Sequence, residues 1–439
     1  MSSEAPRLPR LARAEGIYVW DTDGRRYIDA TSGPVVVNIG HGNPRVLRAM
    51  REQAERATFA YPAYLESEVT TGLHDTLTRL SGPGFEHAFF VSGGSEAIEK
   101  ALQFARMHAL ATGQPRRCKL ISREPSFHGS TFGALGITAD DLSAPLAPML
   151  IAAHKIPAPM PWRCPAHLGL GDYMSECAEA LNRAIEEADP ETVLAFVMEP
   201  VMGLSGGASF ATAAYYRRVR EICDARGVLL IYDEVMSGAG RTGRFLAAHH
   251  WPATPDIVVL AKGLGGGYAP LGAFLAPARL LDPVRAAGGF HQGHTYKANP
   301  LACAAGLAVL EEIIAHDLSG NATRMGELLR ARLAVLMDEV ALIGDVRGLG
   351  LLNAIELTAD RASKRRLPRS LDPYERIKAL GRKHGLLLYA RPPAGRRFGD
   401  WLMITPPLTA TEAQIEDIVA RLRAMLLEYQ EEIAEMPKA

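Results

Sequence analysis

From about Tyr61 to Pro277 the chain alternates short, nearly continuous apolar runs with longer stretches whose apolar residues fall on one helical face. The runs are His87 to Ser92, Cys118 to Arg123, Val193 to Glu199, Val228 to Asp233, Ile257 to Lys262 and Leu271 to Ala276. Short runs bounded by turn residues read as strands, and apolarity without alternation means burial on both faces. Strands interleaved with amphipathic helices predict an α/β architecture, a mostly parallel sheet sandwiched by helices. Ahead of this region, Gly16 to Asp29 carries two alternating segments around Asp23-Gly24, a hairpin signal. Behind it, helical periodicity from Leu301 to about Leu342 gives way to strand-like segments at Leu349 to Leu357, Gly385 to Ala390 and Trp401 to Thr405. Thr409 and Glu412 have capping-box spacing and start a final helix predicted to reach about Ile433. The pattern predicts a large domain over 61–315 and a smaller α+β domain built from both termini, 1–60 with 316–439. Pro157 to Pro165 and the basic stretch Arg361 to Pro373 read as surface loops.

Composition narrows the partners. A chain of 439 residues with a formal net charge of −1 has no field to attract nucleic acid or an anionic membrane, so small-molecule chemistry is expected. Five cysteines without CxxC spacing indicate neither a metal site nor a disulfide framework and suit a reducing compartment. The first fifteen residues have no apolar core like a secretory signal, and apolar runs elsewhere fall short of the about 20 residues a bilayer requires. A cytoplasmic, non-membrane protein is the expectation.

In open α/β sheets, ligands bind beyond the carboxyl ends of the strands, and five groups fall there. Lys262 follows the Ile257 strand and enters the glycine-rich turn Gly263 to Gly267. A lysine partly shielded from water at a strand end loses preference for its ammonium form and becomes a nucleophilic amine. Asp233 ends a nearly all-apolar strand, where an unpaired carboxylate costs several kcal/mol. A protonated ring nitrogen would pair with it; so would a local arginine such as Arg241 or Arg244. Val235, two residues on, faces the same way. Ser92-Gly93-Gly94-Ser95-Glu96 follows a strand and opens a helix over Ala97 to Leu110, an anion site at the positive end of a helix dipole. An ordinary helix cap at Ser95 accounts for that segment equally. Phe127-His128-Gly129 places an aromatic ring after a strand, able to stack on a heterocycle or to pack in the core. Glu199, before Pro200, suits either the orientation of a substrate amine and cofactor substituents or a structural network. Thr295, before the alanine-rich helix Leu301 to Ile314, is a hydroxyl donor within reach of a phosphate.

Taken together, Ser92 to Ala97, Phe127-His128-Gly129, Glu199-Pro200, Asp233-Glu234-Val235 through Gly243, Ala261-Lys262-Gly263 and Thr295 through Pro300 resemble the class III aminotransferases. The likeness runs from Gly16 to the final helix. It implies the aspartate aminotransferase-type fold (fold type I) and pyridoxal 5′-phosphate (PLP) as cofactor. By the same resemblance, Lys262 bonds to the cofactor, Asp233 pairs with its pyridine nitrogen, and Phe127 and Val235 sandwich the ring. Gly94 and Ser95 hold the phosphate, and Thr295 reaches the cofactor phosphate of a neighbouring subunit in a homodimer. Cofactor contacts are expected from His128 and Glu199 as well.

Departures from the family pattern bear on substrate. Relatives of the ornithine and 4-aminobutyrate type carry Gln where this chain has Met202 and Met236, and a glutamate near Leu204. Their absence resembles the ω-amino acid:pyruvate and amine:pyruvate branch, so the expected substrates are a primary amine or ω-amino acid and a keto acid, with pyruvate preferred. Arg391 aligns with that branch's carboxylate-binding arginine, although a solvated arginine beside Arg396 and Arg397 reads equally well. An aromatic residue usual near Pro34 to Val37 is missing. Epimerisation or ammonia elimination on the same scaffold is an alternative, since lysine-assisted deprotonation starts all three. An NAD-dependent dehydrogenase is disfavoured: the glycine spacing is not GxGxxG, and a strand begins at Leu271 where a helix is needed.

Overall fold

The structure, a computed structural model, describes residues 8–291, 293–390, 392 and 396–435. The chain opens with β1 (Leu11–Glu15), β2 (Tyr18–Asp21) and β3 (Arg26–Asp29), paired antiparallel in that order. The predicted turn joins β2 to β3: Gly24 takes φ of +80°, and the Asp21 carboxylate accepts the N–H groups of Asp23 and Arg25. β1 extends the hairpin beyond what its sequence, Leu-Ala-Arg-Ala-Glu, suggests, because it is largely exposed and needs little apolar alternation.

The central sheet contains β4 (His87–Val91), β5 (Lys119–Glu124), β6 (Ala153–Pro157), β7 (Val193–Met198), β8 (Leu229–Asp233), β9 (Ile257–Leu260) and β10 (Gly272–Ala276). Its order is β4-β10-β9-β8-β7-β5-β6. From β6 across to β9 all neighbours are parallel, whereas β10 runs antiparallel to both β9 and β4. That reversal follows from the glycine turn after Lys262, which is too short for a crossover helix. Every residue of β7, β9 and β10 is buried, as their unbroken apolar character requires. β6 is an edge strand with exposed positions, and this weak pattern hid it from the sequence reading.

Helices cover both faces. On one, Ala97, Ile98, Ala101 and Phe104 of the helix Gly94–Ala111 pack with Val197, Ile231, Val259 and Phe274 of the sheet. On the other, the helices Leu170–Glu187, Ala213–Arg226 and Pro300–Ala315 share a core with Phe196, Leu230 and Val258. The helical region after Leu301 resolves into two helices, Pro300–Ala315 and Leu318–Glu339, broken at Asp317, whose φ is +45°.

The predicted segment Leu349 to Leu357 becomes a hairpin of β11 (Ile343–Leu349) and β12 (Leu352–Leu357), turned at Gly350. The stretch read as a loop to Pro373 leads directly into a helix, Pro373–His384, capped by the Asp372 carboxylate on the Tyr374 N–H at 3.1 Å. Then β13 (Leu386–Leu387) pairs parallel with β3, and β14 (Asp400–Ile404) joins β12. The final helix, Glu412–Glu435, starts one capping box later than predicted. Its reciprocal pair is Thr411 and Gln414, not Thr409 and Glu412: the Gln414 N–H meets Thr411 Oγ1 at 3.4 Å, and the Thr411 N–H meets Gln414 Oε1 at 2.9 Å. Among the described residues no helix is long and apolar enough to cross a membrane.

Candidate active site

β8 and β9 lie side by side and parallel, with Asp233 opposite Val259, so both strands release their last residues at one edge of the sheet. Asp233 ends β8; Lys262 follows β9 in the left-handed region at φ +45°. A non-glycine residue held there marks a backbone shaped by its surroundings. Gly263 presses against Asn38: a Cβ on Gly263 would fall 2.1 Å from Asn38 Nδ2. Around this edge lies a cavity of about 330 Å³. Gly94, Ser95, Phe127, His128, Glu199, Asp233, Val235 and Lys262 all line it, so eight residues expected from the sequence converge.

Asp233 is almost fully buried and is held on both carboxylate oxygens. Oδ1 accepts the Val235 N–H at 3.0 Å, and Oδ2 lies 2.8 Å from His128 Nδ1, whose side chain is itself fully buried. An ionised carboxylate only accepts, so His128 Nδ1 carries the shared proton. The arginine alternative fails: Arg241 is buried elsewhere, donating to Asn38 Oδ1 at 2.8 Å and to the carbonyls of Leu351 and Pro406 at 3.2 and 2.6 Å. Burial pulls its guanidinium down to about 9, outweighing the opposing pull of the Asp29 carboxylate. Behind Asp233, Glu234 accepts the N–H groups of Ala247 and Ala248 at 2.5 and 2.8 Å; burial nevertheless pushes its carboxyl up to about 8.

The anion site starts earlier than predicted. The helix begins at Gly94 with Gly93 as an extended N-cap, so Ser95 lies inside the first turn and is not the cap. Its first amides have no acceptor within the helix. Glu96 reaches back to the Ser92 N–H at 2.8 Å and keeps its carboxylate off the front of the turn. Two glycines shape the concavity. A Cβ on Gly94 would sit 3.0 Å from Val235 Cγ1, and one on Gly129, at φ +142°, would sit 2.6 Å from Ser95 Oγ. Ser95 Oγ in turn accepts the Ser130 N–H at 3.0 Å.

Glu199 lines the cavity but spends its carboxylate on the protein. Oε1 takes the Phe127 N–H at 3.1 Å and the Ser205 hydroxyl at 2.7 Å, while Oε2 takes the Gly203 N–H at 2.7 Å. It therefore fixes Phe127 and the loop after β7 together. Val36, Leu204, Met236, Leu271 and Tyr389 also line the cavity, with Asp140 among them. Sequence reasoning missed Asp140 and Tyr389: Asp140 belongs to no recognisable run, Tyr389 sits in the strand-like segment Gly385 to Ala390 far along the chain, and only tertiary folding brings both to the cavity. Thr295 does not line this cavity; it is exposed in a turn next to His294, whose Nε2 contacts Ser92 Oγ at 3.0 Å. Arg391 lies outside the described residues. Its neighbour Arg396 is committed to Asp400, at 2.5 and 2.9 Å.

The donor set fits a flat, phosphorylated heterocycle with a basic nitrogen. The glycine-lined helix start would receive the phosphate, the carboxylate locked by two hydrogen bonds would pair with the nitrogen, and the strand-end lysine would supply the amine. Comparison with known proteins agrees. A family model described as aminotransferase class-III matches residues 2–426. An uncharacterized aminotransferase, YodT, of Bacillus subtilis is 35% identical over 415 residues, covering 94% of this chain and 93% of its own. A leucine/methionine racemase of Thermococcus litoralis is 34% identical, covering 95% and 90%. Among solved structures, the PLP-bound amine transaminase of an uncultivated Pseudomonas species superposes with a TM-score of 0.90 at 34% identity, covering 98% of this chain and 97% of that one.

Proposed function

The chain belongs to the class III aminotransferases, enzymes dependent on pyridoxal 5′-phosphate, and we propose that it moves an amino group from a primary amine or ω-amino acid to a keto acid, pyruvate first. The observation that carries the substrate reading is the set of apolar side chains, Val36, Leu204, Met236, Leu271 and the ring of Tyr389, that line the cavity together with Lys262. Relatives of the ornithine and 4-aminobutyrate type carry a glutamate near Leu204 that this chain lacks, and an apolar lining suits the hydrocarbon body of an amine.

The bound cofactor supplies an electrophilic carbonyl carbon and a ring that accepts the electron pair released at the substrate's α-carbon. Lys262 would hold the cofactor through its Nζ, and the same amine, once free, would serve as the base for the proton at the substrate's α-carbon. Asp233, fixed by the Val235 N–H and His128, holds a proton on the ring nitrogen by a charge-assisted pair. Phe127 and Val235 flank the ring, and the amides of Gly94 and Ser95 receive the phosphate.

The catalytic unit is a homodimer in which Thr295 serves the partner's cofactor. Supporting this, Thr295 is exposed outside its own cavity, beside a patch of exposed Phe59, Tyr61, Tyr64 and Tyr296, with Phe59 edge-on to Tyr296 at 6.2 Å. Unpaired cysteines suit the cytoplasm. The division into 61–315 and 1–60 with 316–439 draws support from the pairing of β3 with β13, which joins the two ends of the chain.

A second reading, racemisation, is favoured by the racemase relative. Absorption spectra separate the two: amines and ω-amino acids are added to the purified holoprotein, followed by pyruvate or 2-oxoglutarate. Transamination predicts loss of the cofactor band with a donor and its return with pyruvate. Turnover or inversion of an L-amino acid with no keto acid present would replace this reading with the second.

A further inference from the structure

The loop that presents Leu204 and Ser205 to the cavity is gripped from two sides. From the central sheet, Glu199 holds the Gly203 N–H and the Ser205 hydroxyl, both at 2.7 Å. From the C-terminal sheet, each of three strands contributes one group. On β11, Arg347 donates Nε to the Gly207 carbonyl at 2.6 Å and Nη2 to the Gly206 carbonyl at 3.4 Å. On β12, Glu356, fully buried, receives Arg347 Nη1 at 2.7 Å and fixes the guanidinium. On β14, the fully buried Trp401 donates its indole N–H to the Leu204 carbonyl at 2.6 Å. Gly207 fits between them only without a side chain: its φ is +56°, and a Cβ would fall 2.5 Å from Trp401 Cγ and 2.8 Å from Arg347 Nη2.

Neither Arg347 nor Trp401 lines the cavity, yet between them they hold the carbonyls of Leu204, Gly206 and Gly207 in this loop. We propose that Arg347 and Trp401 are positioning residues for the substrate: through the Gly203–Gly207 loop they hold Leu204 and Ser205 at the depth that selects the amine, so the C-terminal sheet adds its own hold on substrate affinity to the one Glu199 exerts from the central sheet. This rests on the reading of the cavity as an amine-binding site.

The test compares the wild-type holoprotein with W401F, which keeps the ring and loses the N–H, and with R347M and R347K. Amine affinity is read from the cofactor's absorbance change in a titration without keto acid. Cofactor affinity is measured alongside, together with amide hydrogen exchange over 203–209. The loss of one or two buried donors predicts apparent amine dissociation constants raised about fivefold in W401F and about tenfold in R347M, with R347K between wild type and R347M. Exchange over 203–209 quickens in the same order, and cofactor affinity stays within about twofold. A fall in melting temperature with unchanged amine affinity and unchanged exchange would make the contacts merely structural and overturn the proposal. Parallel loss of cofactor affinity would overturn it too. Should R347M fail to fold, W401F alone decides. If the wild-type band responds to amines and no keto acid restores it, the transaminase reading fails, whereas the shift in amine affinity still decides this one.

Discussion

The cofactor end of the cavity and the substrate end are held by different means. At the first, Asp233 ends β8, and Lys262 and Gly94 come shortly after β9 and β4 of the same sheet, so each is placed by its own strand end or helix start. At the second, Leu204 and Ser205 ride on a loop whose carbonyls are held by residues 140 and 197 positions away, Arg347 and Trp401. A site fixed by local geometry tolerates change elsewhere in the chain. A wall fixed through a second sheet is adjustable without disturbing the chemistry.

The largest effect should come from the cofactor end. K262A removes the nitrogen that carries the α-proton, and turnover should fall by at least about a thousandfold while the protein remains folded. Next, D233N keeps the carboxylate's shape and the Val235 hydrogen bond but loses the charge on the ring nitrogen. A drop of about a hundredfold in turnover is expected, with the amine's apparent affinity little changed. G129A drives a methyl group into Ser95 and strains a left-handed backbone; cofactor affinity should weaken about tenfold. A turnover loss in W401F as large as that in D233N would erase the distinction between the two ends.

This division also explains what was legible from sequence. Buried strands with no polar face leave unbroken apolar runs, and a lysine or aspartate at the end of such a run is conspicuous; eight expected residues therefore meet in one cavity. Asp140 and Tyr389 had no such signal, because their place depends on chain segments packed together from far apart. The antiparallel β10 was half visible, since Leu271 plainly begins a strand; what the pattern lacked was the direction imposed by a short glycine turn. The helix Pro373–His384 was lost behind the basic stretch before it, although Asp372-Pro373 is a cap followed by proline in the first turn. Capping-box spacing occurs at both Thr409 and Thr411, and only the path of the chain after β14 selects the second.

The smallest effect concerns pH. Burial raises the Glu234 carboxyl to about 8 in the folded protein, above its ordinary value of 4.5. The stability it contributes is complete below 4.5 and is lost as pH rises through about 8. Wild-type melting temperature should therefore decline between about pH 5 and about 8. E234Q, which cannot ionise, should start lower through poorer pairing with the Ala247 and Ala248 amides, yet show a flatter profile across that window. An identical slope in both proteins would remove Glu234 from the account.

The most direct test sets one variant from each end against the other in the same titration. For G129A and W401F, cofactor dissociation constants and, at saturating cofactor, apparent amine dissociation constants are measured by absorbance. The account predicts a crossed result: G129A weakens the cofactor and leaves the amine unchanged, and W401F weakens the amine and leaves the cofactor unchanged. If either variant shifts both constants together, the two ends are not held independently and the central claim is wrong.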